Sequence, residues 1–146
     1  MFYWAGDGPY REKILTELGK YDNFKWLGNL EYPDKVREFL TEIDVYALVS
    51  GIDMSPLTLQ EAQLMKKPVV ATNIGGMPEI MIDHETGFLI EKGNSKELIK
   101  KLSLLINDEQ KRKTMGENGR KFIEEKFNWD IVAKEFLKNI EKNGIR

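Results

Sequence analysis

Short apolar runs alternate with stretches of helical period over the first two thirds of the chain, and Gly, Pro or Asn marks most of the joints. This alternation restricts the fold more than any other feature. Residues 2–5 read as a strand, 6–9 as a turn, and Ile14, Leu15 and Leu18 lie at helical spacing, with Pro9 suited to open that helix and Gly19 to end it. Residues 24–27 form a second strand closed by Gly28, and Val36, Phe39, Leu40 and Ile43 mark a second amphipathic helix. Residues 45–49 are continuously apolar, which predicts a strand covered on both faces. A loop over 50–55 leads into a helix from Pro56 to about Met65. A strand over 68–72, a Gly-rich turn over 73–78, a short helix over 79–82 and a last strand over 87–90 follow.

Beyond Asn94 the pattern is wholly helical. Ser95 caps a helix whose face carries Leu98, Ile99, Leu102, Leu105 and Ile106; a second runs from Asp108 to about Glu125; a third starts near Trp129 and carries Ile131, Val132, Phe136, Leu137 and Ile140. The aromatics Trp26, Phe122, Phe127 and Trp129 are expected in the core. The predicted architecture is therefore α/β, a doubly wound parallel sheet of Rossmann-like type with a helical C-terminal segment.

Composition narrows the function. A chain of 146 residues suits one domain with a single core, and a net charge of −2 carries no basic excess for nucleic acid or anionic membrane. With no cysteine, disulfides and cysteine-based metal sites are excluded, and a cytoplasmic location is expected. No apolar run approaches the about 20 residues that span a bilayer, and no signal peptide is visible. A strand at the very first residues is unusual for a terminus and suggests a chain cut from a longer protein.

Parallel α/β sheets bind ligands beyond the C-terminal ends of their strands. The loops to watch are therefore 6–8, 28–30, 50–56 and 73–78. In the third, Asp53 precedes a helix start at Pro56, and Glu61 lies in that helix's second turn. The amides of Leu57 and Thr58 have no intrahelical partner there and sit at the positive end of the helix dipole, which suits a phosphate. Thr58 could add its hydroxyl, and Glu61 is placed to accept hydrogen bonds from a ribose diol. The plainer alternative makes Asp53 a helix cap and Glu61 a solvated surface residue. In the fourth loop, Gly75 and Gly76 allow positive φ and close approach of backbone to a ligand, with Pro78-Glu79 opening a short helix; the alternative is a simple tight turn. The 6–8 turn lacks the spacing of a dinucleotide fingerprint and reads as structural. There is no P-loop lysine motif and no Asp-any-Asp pair, and the sole histidine, His84, lies in a surface loop, so no metal cluster is available.

Taken together, these segments resemble the C-terminal, donor-binding domain of the retaining GT-B glycosyltransferases of family 4, also called glycosyl transferases group 1. The resemblance rests on Gly6-Asp7-Gly8-Pro9, Trp26-Leu27-Gly28, the strand from Asp44-Val45 to Ser50, Pro56-Leu57-Thr58-Leu59-Gln60-Glu61-Ala62, Pro68-Val69-Val70-Ala71-Thr72, Gly75-Gly76-Met77-Pro78-Glu79 and Thr86-Gly87-Phe88-Leu89, in the family's order and spacing. It covers nearly the whole chain. It implies a nucleotide-diphosphate sugar donor, transfer of a glycosyl group to an unidentified acceptor with retained configuration, and no metal. It places the diphosphate on Leu57 and Thr58 near Ser50, Pro56, Gly75 and Gly76, the nucleobase near Gly28 and Asn29, and the catalytic carboxylates at Asp53 and Glu61.

The family's first glutamate corresponds here to Asp53, a side chain one methylene shorter, and Val49 and Met54 replace the usual Pro and Gly. A loss of reach of about 1 Å can cost about a hundredfold in rate. The family's N-terminal acceptor domain, and the first strand of the C-terminal domain with its Arg and Lys, have no counterpart in the chain. The resemblance therefore implies a partner in that N-terminal domain, weak donor binding and no transfer by the chain alone, and membrane association only through the absent part. Two alternatives stay open, a nucleotide-sugar epimerase of GT-B architecture and a non-catalytic nucleotide-binding module. A response-regulator-like domain fits less well, because it needs an acidic cluster at the first strand end.

Overall fold

The computed structural model describes residues 1–51, 54–142 and 144. They form two compact units, Met1–Phe39 and Leu40–Arg146.

In the first unit, β1 (Phe2–Ala5) pairs in parallel with β2 (Phe24–Gly28), placing Trp4 opposite Trp26, and α1 (Arg11–Leu18) connects them. The two indole rings lie 6.0 Å apart, and Trp26 Nε1 donates to the Gly6 carbonyl at 2.8 Å. Asp7 accepts from the Gly8 amide at 2.7 Å and pairs with Arg11 at 3.0 Å, while the Arg11 guanidinium stands 5.7 Å from the Trp26 ring. The polar groups of the 6–8 turn thus engage one another, which supports its structural reading. Helix α1 starts at Arg11, two residues after Pro9, because Pro9 and Tyr10 form a turn closed by the Arg11 amide on the Gly8 carbonyl. Gly19 ends the helix with right-handed φ of −64°, so no left-handed cap is used. Helix α2 (Asp34–Glu42) follows.

The second unit holds a parallel sheet in the order β3–β4–β5, formed by Tyr46–Leu48, Val69–Thr72 and Gly87–Ile90. Doubly covered burial belongs to β4, whose four residues are all buried. The expectation for 45–49 fails: β3 has three residues, Ala47 is exposed, and Val49 is 54% exposed. The physical reason is position, since β3 is the edge of this sheet and β4 its centre.

Helix α3 (Leu57–Leu64) packs on α5 (Glu109–Lys126), and two glycines set how closely. A Cβ at Gly116 would overlap the Lys66 carbonyl, and one at Gly119 would stand 3.2 Å from the Gln63 side chain. The core gathers Val70, Phe88, Ile90, Leu105 and Met115, with Val45, Leu98 and Leu102 packed against it. Leu105, Leu98 and Leu102 come from α4 (Ser95–Asn107) as expected, whereas Ile99 and Ile106 are exposed. The α4 cap is Asn94, one residue earlier than Ser95: its side chain accepts from the Glu97 amide at 3.1 Å. Asp108 caps α5 in the same way, accepting from Lys111 at 2.8 Å. The short helix before β5 is a single 3₁₀ turn, Met77–Glu79, two residues earlier than expected. Helix α6 (Trp129–Lys142) has no buried residue, and Trp129 is 85% exposed, contrary to the core position expected for it. Its apolar residues recur at helical spacing as expected, but Ile131, Val132, Phe136 and Leu137 stay 40–64% exposed although the helix touches α5.

Candidate functional site

The second unit carries the helix start that the sequence singled out. Pro56 is buried in extended geometry (φ −70°, ψ 113°) and directs the chain into α3, since proline fixes φ and needs no N–H partner. The Leu59 amide bonds the Pro56 carbonyl at 3.1 Å, so the amides of Leu57 and Thr58 precede the first bond of the turn. Among the described residues, no side chain caps this end. Leu57 and Thr58 are exposed, so the positive end of the helix faces solvent.

Behind that turn, the Tyr46 hydroxyl donates to Thr58 Oγ1 at 2.8 Å. Glu61 is half-buried one turn further along, and its Oε2 is buried with no hydrogen-bond partner among the described residues. A carboxylate oxygen withdrawn from water and left unbonded is unfavourable by itself, and it marks a place where a donor group is wanted. This argues against Glu61 as a solvated surface residue. Two positions on, Gln63 is fully buried and donates to Leu59 O at 3.3 Å and Ile80 O at 2.8 Å, which ties α3 to the segment after the Gly-rich turn.

The 73–78 loop meets the loop after β3 directly. Gly76 is buried, and a Cβ there would overlap the Met54 carbonyl, so only glycine allows the two backbones this approach. Gly75 is exposed with φ of +51°, the left-handed region that glycine enters without strain. Asn73 N–H bonds the Ile90 carbonyl at 2.7 Å, anchoring the loop at the C-terminal end of β5.

Of the candidate residues, Ser50, Pro56, Leu57, Thr58, Glu61, Gly75 and Gly76 all belong to this unit, on loops and a helix start that follow β3 and β4. Asp53 lies outside the described residues. Gly28 and Asn29 belong to the first unit; Gly28 has φ of +67° and its carbonyl accepts from Gly6 at 2.7 Å, while Asn29 is exposed. Sequence reasoning missed Tyr46 and Gln63. The signal for Gln63 was a polar residue set four after Leu59 on the buried face of a short helix. Tyr46 gave no signal beyond a hydroxyl on an otherwise apolar strand. Among the described residues no group of three His, Asp or Glu side chains is placed to hold a metal ion, and no helix is long and apolar enough to cross a membrane.

Comparison with known proteins identifies the family and the architecture. The chain is 36% identical over 131 residues to an uncharacterized glycosyltransferase of Methanocaldococcus jannaschii, covering 88% of the chain and 37% of that protein. It is 32% identical over 146 residues to a GDP-mannose-dependent monoacylated α-(1-6)-phosphatidylinositol monomannoside mannosyltransferase of Corynebacterium glutamicum, covering 93% of the chain and 37% of the relative. The chain thus spans little more than a third of these relatives. Among solved structures it is similar to Anabaena HepE in complex with UDP-glucose, with a TM-score of 0.79 at 25% identity, over 96% of the chain and 40% of HepE. That likeness carries the α/β, Rossmann-like architecture of the GT-B glycosyltransferases. The profile of the family described as glycosyl transferases group 1 matches residues 2–122, and the chain belongs to that family.

Proposed function

We propose that the chain is the donor-binding part of a retaining glycosyltransferase that takes a nucleotide-diphosphate sugar and transfers its glycosyl group to an acceptor. The carrying observation is the buried Glu61 Oε2, without a partner among the described residues, one turn from an exposed helix start. Family membership and relatives named for GDP-mannose or solved with UDP-glucose support the same donor class.

In this reading the Leu57 and Thr58 amides hold the diphosphate, helped by the 75–76 backbone, and Glu61 accepts from the ribose hydroxyls. Gly28 and Asn29 contact the base, Ser50 and Pro56 border the phosphates, and Asp53 acts on the donor sugar. As the glycosidic bond breaks, negative charge grows on the leaving diphosphate. Amides at a helix start are fixed dipoles that stabilise that charge without reorganising, and they require no metal in this reading. The acceptor and the remaining phosphate-neutralising cations come from an N-terminal domain and a first strand outside the chain. The chain alone is then a weak binder that transfers nothing, and it works in the cytoplasm, at a membrane only through that other domain.

Calorimetric titration with UDP-, GDP- and ADP-sugars tests this. One donor class is expected to bind selectively, and Glu61→Ala to weaken it by about ten- to a hundredfold, the range for losing hydrogen bonds to a charged group. Selective binding that Glu61→Ala leaves unchanged would overturn the assignment.

A further inference from the structure

We infer that Tyr46 is a positioning residue for the diphosphate site, tying the amide-bearing first turn of α3 to the sheet without occupying its amides. The inference deepens the donor-site reading and rests on it.

A helix start is usually fixed by a capping side chain, but a cap accepts hydrogen bonds from the first-turn amides and so competes with an anion for them. Among the described residues, helix α3 has no such cap. Its first turn is instead held from the side, by the 2.8 Å bond from the Tyr46 hydroxyl to Thr58 Oγ1. Tyr46 is itself fixed. Its amide bonds the Pro68 carbonyl at 3.1 Å, and it stands opposite Val69 on β4, the fully buried strand. The restraint therefore runs from the most buried strand through a rigid ring to the turn carrying the Leu57 and Thr58 amides. Both amides remain open to a ligand, and the turn keeps one position before the ligand arrives. Preorganisation of this kind raises affinity for the group the amides grip and leaves the remainder of the ligand unaffected.

The test compares affinities for UDP, GDP and ADP with those for uridine, guanosine and adenosine, using the best-binding pair. Tyr46→Phe keeps the ring and removes only the hydroxyl; Thr58→Val removes its partner. Each is expected to weaken diphosphate binding about fivefold, the scale of one neutral hydrogen bond, with nucleoside affinity and thermal unfolding nearly unchanged. The double variant is expected to lose no more than either single one. Equal losses for nucleoside and diphosphate, additive single effects, or an unchanged diphosphate affinity in Tyr46→Phe would each overturn the inference. Glu61→Ala separates this from the underlying reading: it is expected to lower nucleoside and diphosphate binding together. If it lowers neither, or if wild type binds no diphosphate, the donor site itself is wrong and the Tyr46 role falls with it.

Discussion

The two units differ in how they are held together. Among the described residues every buried side chain belongs to the second unit, from Leu40 onward, and none of β1, α1 or β2 is buried. The first unit relies on local devices: the Trp26 bond to Gly6, the Asp7–Arg11 pair, and the edge-on contact of Tyr3 and Phe39 at 6.5 Å. The reason is geometric. Two parallel strands with one connecting helix cannot enclose a side chain, whereas β4 has a strand on each side and helices packed beside it. The lesson is that the helix start proposed to hold the diphosphate stands on the well-packed unit, whereas Gly28 and Asn29 stand on the loosely packed one.

Substitutions in the two units sharpen this contrast. Leu105→Ala removes a fully buried side chain from the core and is expected to cost about 2–5 kcal/mol, whereas Phe2→Ala, at 51% exposure, is expected to cost well under that. Urea unfolding of both variants decides the matter, and equal losses would break the comparison. Gly76→Ala comes next. Its new Cβ must displace the Met54 backbone, so about 1–3 kcal/mol of stability is expected to go, together with most donor affinity. Thermal unfolding and calorimetry on one sample separate the two effects, and unchanged donor affinity would show that the 73–78 loop does not shape the site.

The smallest effect is electrostatic. The Glu109 carboxyl is held below its ordinary range by the hydrogen bond and charge of Lys113, 2.7 Å away. A depressed carboxylate stabilises the fold above its unfolded pKa and loses that contribution as pH falls through the folded value. Glu109→Gln is therefore expected to lower stability slightly at neutral pH and to converge with wild type only once pH has fallen through the depressed folded value, where the carboxyl is neutral. Because the pair is exposed, high salt is expected to erase the difference, and a difference that persists in salt would contradict the surface reading.

The strands, the helix at 57, the Gly-rich turn and the three C-terminal helices were legible from the sequence, because each rests on local periodicity and on Gly, Pro, Asn and Asp chemistry. The same signals single out Leu57, Thr58, Glu61, Gly75 and Gly76. Neighbour-dependent features were not legible. Val45–Val49 and Val69–Thr72 are equally apolar, yet one lies at a sheet edge and the other at its centre, and the sequence of a strand does not record its place in the order. Trp129 has the hydrophobicity of a core residue but no described element to cover it. Tyr46 and Thr58 are twelve positions apart, and only the fold brings their hydroxyls within 2.8 Å. Local chemistry thus determined which segments become strands, turns and helix starts. Which side chains those segments bury, support or leave without a partner depended on contacts between residues distant along the chain, and only the tertiary structure decided that.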